Sequence, residues 1–424
     1  MVLRCAKQPW LTLYFACEVF IIIFILLPVW SVTYLFTRPR PTWSWSHAMI
    51  IAPSRRLARL ISKIDICTLM GSPDYRAIPS TTGHNVEGVW IDGIPPYVIT
   101  TELAIFASVA RAMPIRIPGY WYARDGIAPQ PIAPVPTTDQ KKVFLYLHGG
   151  AYTLMSAHPR ELYVRSLSRS FVHLTADAPH LLAVEYRLSS TRPFPERHPF
   201  PTALLDALAG YIHLVDVMGY DPSNIILAGD SAGGNLALAL VRYLVENQGI
   251  SGADMSPALP APPGHLLLVY PWTDLSNSHA ETNMTLIPPD VHPGVSRSAY
   301  TNDIDILADF FVGKGYPSYS VLAYVGPFGL GMALNNRYVS PASLSPVVKA
   351  RFSGFPRTFI VNGGADRLFD QICTLRDRMM RDMPGEGQVT YYEEKDGVHG
   401  FLAMPSHPGG CAALNAIRGW LTRD

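Results

Sequence analysis

The apolar run Asn224–Ala228 passes without a spacer into Gly229-Asp-Ser-Ala-Gly-Gly234, and Asn235–Val241 follows at helical spacing. A serine is thereby held on a strand-to-helix turn. Such a turn is tight enough that a side chain at its flanking positions collides with neighbouring backbone, and glycine tolerates that geometry cheaply. The Ser231 hydroxyl is presented where a substrate can reach it. The competing reading is a glycine-rich turn whose serine only caps the helix that follows. A chain built around this unit is committed to strands alternating with helices.

At 424 residues with 48% hydrophobic content, the chain has material for one large α/β domain with decorations, or for two domains. Lys+Arg number 34 against 33 Asp+Glu, a net charge of +1, so no field that gathers nucleic acid is expected. Cys5, Cys17, Cys67, Cys373 and Cys411 are odd in number, far apart and without CxxC spacing. That argues against a disulfide framework and against structural zinc, leaving room for one pairing among the last three.

Residues 1–18 read as a tail and residues 19–36 as an uncleaved transmembrane anchor. Val19–Phe36 is apolar over about the length that crosses a bilayer, with Glu18 at its edge and Trp30 and Tyr34 suited to an interface. No small-x-small cleavage site follows before Arg38 and Arg40. The side of the membrane is open: the basic residues after the segment put the body in the cytosol, whereas Asn283-Met-Thr285 is a glycosylation acceptor pattern.

Residues 37–141 read as an N-terminal cap, with helical spacing at Ala48–Leu69 and Thr100–Met113 around a Gly/Pro-rich stretch. From 142 to 424 short apolar strands alternate with helix-length segments, as in a mainly parallel sheet covered on both faces. Strands are expected at Val143–Leu147, Leu181–Tyr186, Asn224–Ala228, Leu266–Tyr270, Thr358–Asn362 and Val389–Glu393. Residues 276–338 break the alternation, and their aromatic content favours a lid-like insertion over a solvated linker.

A serine hydroxyl is a weak nucleophile near neutral pH and needs a histidine to take its proton and an acid to hold that histidine. Asp366 follows the strand at Thr358–Asn362, and His399 follows the strand at Val389–Glu393. They are the candidate acid and base. Asp370 and Asp396 are alternative acids, the first a turn into a helix and the second awkwardly close to His399. Ester attack also places negative charge on a carbonyl oxygen, which calls for backbone donors aimed in advance. His148-Gly-Gly-Ala151 follows a strand directly, so the N–H groups of Gly149, Gly150 and Ala232 are the expected oxyanion hole. Asp230 is assigned a structural role. Tyr152, Trp272, Phe310, Phe311 and Phe401 are candidates for an apolar substrate pocket, with core packing as the alternative for each. No metal or organic cofactor is required.

These motifs resemble the hormone-sensitive-lipase-like branch of the α/β-hydrolases, whose HGGG/HGGA and GDSAGG signatures match His148–Ala151 and Gly229–Gly234. Tyr186-Arg-Leu188, Phe200-Pro-Thr-Ala203 leading to Asp206, Pro271-Trp-Thr-Asp274 and Ser340-Pro341 agree. The resemblance covers roughly Val143 to Trp420. It implies the α/β-hydrolase fold, with Ser231 as nucleophile, Asp366 as acid and His399 as base, acting on small-molecule carboxylic esters. With the apolar amino terminus the chain is similar to arylacetamide deacetylases and fungal steryl acetyl hydrolases, which implies an endoplasmic-reticulum membrane esterase taking short acyl groups on an apolar alcohol. Acyl transfer through the same residues, and a ligand-binding role without catalysis, are the alternatives.

Overall fold

The computed structural model describes residues 9–63, 85–95, 98–99, 101–131, 133–135, 141–192, 194–248, 259–276, 278–279, 305–307 and 319–423. Eight strands form one sheet in the order β1-β2-β4-β3-β5-β6-β7-β8. They are β1 (Val86–Ile91), β2 (Ile117–Ala123), β3 (Val143–Leu147), β4 (His180–Val184), β5 (Ile225–Asp230), β6 (His265–Val269), β7 (Arg357–Gly363) and β8 (Val389–Glu394). β2 pairs antiparallel with both β1 and β4, and all later pairings are parallel.

Parallel strands share one carboxyl edge, so the segments after β3, β5, β6, β7 and β8 all emerge on the same side. Ligands in sheets of this kind bind at that edge. β3, β5 and β6 are mostly apolar and buried along their whole length, as expected where helices cover the sheet on either side. The six strands expected from sequence all appear, with ends shifted by one or two residues.

The interval expected to be only a cap supplies two strands, β1 and β2. Glycine and proline in Ile117-Pro-Gly-Tyr-Trp-Tyr-Ala123 read as breakers, but β2 is buried along its whole length between β1 and β4. Gly119 leaves room there for the side-chain ends of Ile91 and Leu182, which a Cβ would push aside.

Helices at Leu162–Val172, Thr202–Ile212, Ala232–Glu246, Phe369–Asp382 and Gly410–Leu421 flank the sheet, and the two helical stretches expected before it form Trp45–Lys63 and Thr101–Ala110. The apolar amino terminus forms α1 (Trp10–Ile21), a π-helical turn at Ile22–Leu26, and α2 (Leu27–Phe36). Pro28 lacks an N–H and crowds the preceding turn, which accounts for the widened helix just before it. The candidate span is Thr12–Phe36, 25 residues long, and begins earlier than expected. Glu18 therefore lies inside it, where its carboxylate accepts from Tyr14 Oη at 3.0 Å and from Arg56 at 2.7 and 3.0 Å.

Arg56 belongs to α3 (Trp45–Lys63), which turns back along the rod, with Trp45 Nε1 donating to Ser31 O at 3.0 Å. Between α2 and α3 the chain touches the body. Thr42 Oγ1 donates to Asp396 Oδ2 at 2.6 Å, Trp43 Nε1 donates to Asp396 O at 3.0 Å, and the His47 ring packs on His407 at 4.8 Å.

Within residues 276–338 the described parts carry two short helices, Tyr319–Val325 and Gly329–Asn335. Aromatic residues of this part pack into the body: Tyr324 of the first helix stacks on Tyr152 at 3.7 Å, and Phe328 between the helices meets Phe106 at 5.6 Å. Phe310, Phe311 and Asn283–Thr285 lie outside the described residues. Cys373 and Cys411 are free thiols, so the pairing left open between those two is not formed.

Candidate active site

Ser231 stands between β5 and α4 (Ala232–Glu246, the helix after the glycine turn) with φ 51° and ψ −118°. That conformation costs a non-glycine residue about 1–3 kcal/mol, and such strain gathers at functional sites. Its side chain makes no capping bond to the helix, which removes the capping explanation for a serine here. The turn is pinned from both sides, since Ser231 N donates to Val269 O at 3.0 Å and Trp272 N donates to Ser231 O at 2.8 Å. A Cβ on Gly229 would meet the Gly233 backbone, and one on Gly233 would meet the carbonyls of Leu147 and His148. The glycines let the serine turn and the loop after β3 come into backbone contact.

Asp366 and His399 are brought together at the ends of β7 and β8. Asp366 Oδ2 lies 2.9 Å from His399 Nδ1, and both residues are buried. The other oxygen, Oδ1, accepts the Leu368 N–H at 2.7 Å, so the carboxylate is fixed while it holds the imidazole. Burial opposes a charged imidazolium, yet the Asp366 carboxylate and its hydrogen bond, with Asp305 and Asp230 nearby, raise the His399 pKa above its ordinary 6.5. The Tyr270 ring packs edge-on against the imidazole at 4.9 Å. Asp396 is engaged by Thr42 and Trp43, Asp370 lies in the first turn of the helix Phe369–Asp382, and the carboxylate bonded to the His399 ring is that of Asp366.

The loop after β3 turns through positive φ at Gly150, Ala151 and Tyr152. A Cβ on Gly150 would run into Leu154, whose carbonyl carbon would be 2.7 Å away. One expected donor is corrected here: the Gly149 N–H is given to Asp230 Oδ1 at 2.8 Å and is not directed at a substrate. Asp230, buried and also accepting the Tyr146 hydroxyl at 2.6 Å, ties the loop to the serine turn. Burial raises its carboxyl pKa against the pull of the bonds from Tyr146, Tyr163 and Gly149. Its structural assignment stands, with a definite object.

No described hydrogen bond uses the N–H of Gly150, Ala151 or Ala232. Ala232 opens a helix, where N–H groups have no acceptor within the helix. Ala151 was not expected, and its signal in the sequence was only its place in the loop. His148 is held in the loop by Tyr186, whose hydroxyl donates to His148 O at 2.6 Å beneath the stacked rings. Burial lowers the His148 pKa to about 4, so the ring is neutral.

Three of the expected pocket residues are committed to packing. Tyr152 donates its hydroxyl to Asn235 Oδ1 at 2.6 Å while stacked on Tyr324; Trp272 donates Nε1 to Asp274 O at 3.2 Å; and Phe401 lies between Tyr270 and His407. Further motif residues serve as scaffolding. Arg187 and Asp206 form a buried bidentate pair, closest at 2.7 Å, and Asp274 gathers the N–H groups of Ser276 and Ser278 and the His279 ring. Among the described residues no cluster of His, Cys, Asp and Glu has the arrangement of a metal site.

A family model described as an alpha/beta hydrolase fold matches residues 144–306. Esterase LipU of Mycobacterium tuberculosis is 31% identical over 256 residues, 60% of this chain and 70% of that protein. An acetyl-hydrolase of Streptomyces hygroscopicus is 35% identical over 141 residues, 33% of this chain and 39% of that protein. The hyperthermophilic esterase of the archaeon Pyrobaculum calidifontis superposes with a TM-score of 0.53 at 20% identity, covering 87% of this chain and 92% of that structure. These relatives are bacterial and archaeal and lend no support to the endoplasmic-reticulum location implied by the resemblance.

Proposed function

Since the chain belongs to the α/β-hydrolase family, on its hormone-sensitive-lipase-like branch, and is a carboxylic ester hydrolase, we propose that Ser231, His399 and Asp366 are its catalytic triad. The observation that carries this reading is the buried 2.9 Å Asp366–His399 pair at the sheet edge where the strained Ser231 turn also emerges. In the first half-reaction His399 takes the Ser231 proton as Oγ bonds to the ester carbonyl carbon. The carbonyl electrons move onto oxygen, which the Gly150, Ala151 and Ala232 N–H groups stabilise. The C–O bond then breaks, the alcohol leaves with the proton from His399, and an acyl-serine remains. Water, deprotonated by the same histidine, releases the acid and restores Ser231.

The substrate class proposed is a short acyl group on an apolar alcohol, supported by the acetyl-hydrolase among the relatives. The retained His399 with its acid partner supports catalysis over ligand binding alone. Attachment to a membrane through Thr12–Phe36 is supported by a helix of sufficient length whose large apolar side chains, among them Phe20, Phe24, Val32 and Phe36, are exposed. The test is Ser231→Ala in the full chain, read by fluorophosphonate labelling and by hydrolysis of p-nitrophenyl acetate against the dodecanoate. Loss of both signals with acetate preferred is expected; unchanged hydrolysis refutes the nucleophile, and preference for the long chain refutes the acyl class.

A further inference from the structure

Asp305 lies in the insertion, within the short described stretch 305–307, and carries none of the motifs that mark the rest of the site. Its side chain is nevertheless completely buried against the catalytic loops. Oδ2 accepts the backbone N–H of Arg367 at 2.8 Å, and Oδ1 accepts the backbone N–H of His399 at 2.9 Å. One carboxylate thus holds the residue after the proposed acid and the proposed base itself.

The two loops it joins already meet closely. Ala365 N donates to Gly397 O at 2.9 Å and Gly364 N to Glu394 O at 2.8 Å, while a Cβ on Gly363 would strike the Gly397 carbonyl. Those bonds fix the stems of the loops. At the tips, where Asp366 N also donates to Gly363 O at 3.0 Å, the carboxylate from the insertion adds one bond to each loop.

Burying a carboxylate costs several kcal/mol unless its lone pairs are met. A buried acid here without a task would be a liability for the fold. Burial, and the Asp366 carboxylate beside it, push the Asp305 carboxyl up. Two backbone N–H groups aimed one at each oxygen offset that burial by satisfying both oxygens.

We propose that Asp305 is a positioning residue for ester hydrolysis: its carboxylate clamps the acid loop to the base loop and so sets the register of the Asp366–His399 pair. This rests on the triad assignment. Asp305 acts through Asp366 and His399 and touches no reacting atom. The groups facing the His399 ring are Asp366, Asp305, Asp230 and the Tyr270 ring. Removing the Asp305 charge therefore takes away one of three carboxylates that favour the protonated imidazole.

The test compares wild type, Asp305→Ala, Asp305→Asn and His399→Ala as full-length chains, with p-nitrophenyl acetate as substrate and circular dichroism and thermal melting as the check on folding. Groups that orient a reacting side chain typically contribute about tenfold to a hundredfold. A fall in kcat of that size is expected for Asp305→Ala, with KM within about twofold. Asp305→Asn keeps one acceptor for two N–H groups and should fall between that variant and wild type. In both, the acid limb of the pH profile should move to lower pH. A folded Asp305→Ala with wild-type kcat and acid limb overturns the proposal while an inactive His399→Ala leaves the triad standing. An active His399→Ala overturns both. If Asp305→Ala fails to fold, Asp305→Asn decides: wild-type kcat and acid limb refute the clamp, and a reduced kcat with a shifted limb supports it.

Discussion

Replacing Gly233 with alanine should slow hydrolysis about tenfold to a hundredfold while the chain still folds. Gly233 lies in the first turn of α4, two residues after the serine, with its α-carbon facing the end of β3 and the loop that carries the proposed oxyanion donors. A Cβ built there would be 2.6 Å from His148 O and nearer still to Leu147 O, whereas real Cβ atoms essentially never approach within 3.0 Å. At least 0.4 Å of separation is needed to clear His148 alone, and more to clear Leu147. Neither neighbour is the end of a flexible side chain; both are backbone.

The displacement therefore opens the gap between Ser231–Ala232 and Gly150–Ala151, across which the serine and oxyanion donors must act on one carbonyl. A misplacement of about 1 Å in such an arrangement costs about a hundredfold in rate. A loss of tenfold to a hundredfold in kcat is expected, equivalent to about 1.4–2.7 kcal/mol of barrier. The accompanying loss of stability should be about 1–3 kcal/mol, as for other overpacked sites. The assay is kcat on p-nitrophenyl acetate beside a urea unfolding curve. Gly419→Ala, where a Cβ meets nothing within 4 Å, is the control and should keep full activity. A Gly233→Ala enzyme within threefold of wild-type kcat would refute the argument that these two loops must touch.

The pH profile follows from the raised His399 pKa. The base must be neutral to accept the serine proton, so kcat/KM should fall as pH drops through that value, with the midpoint of its acid limb above the ordinary 6.5. A midpoint below 6.5 in a steady-state pH series would contradict the charge arrangement around the ring. Asp206→Ala leaves the Arg187 guanidinium buried without its carboxylate, and equilibrium denaturation should show a loss of about 3–5 kcal/mol. A loss under 1 kcal/mol would show that water or another acceptor replaces Asp206.

Much of the sheet was legible because β3 to β7 have short apolar centres ended by glycine, proline or polar residues, and β3 to β8 alternate with helix-length segments. β1 and β2 were hidden because Pro118 and Gly119 look like a break in isolation, and only pairing with β1 and β4 makes them strand. The proposed triad could be read because each member follows a strand and each sits in a local motif. Asp305 has no motif, and its meaning comes from backbone groups 62 and 94 residues away. The use of Gly149 was misjudged for a related reason: a sequence shows which N–H groups a loop holds, but not that a neighbouring carboxylate already occupies one. Tyr152 likewise reads as pocket or core until Tyr324, far along the chain, stacks on it.

The contact of Thr42 and Trp43 with Asp396, three residues before His399, means that the apolar amino-terminal helix and the hydrolytic body are not interchangeable parts. A soluble version cut after residue 36 keeps both bonds; one cut a dozen residues later removes the brace from the segment leading to the base. Where the amino-terminal segment is cut thus bears on the loop of the proposed base, and a foreign helix grafted in place of residues 9–47 would have to rebuild that brace to leave the His399 loop undisturbed.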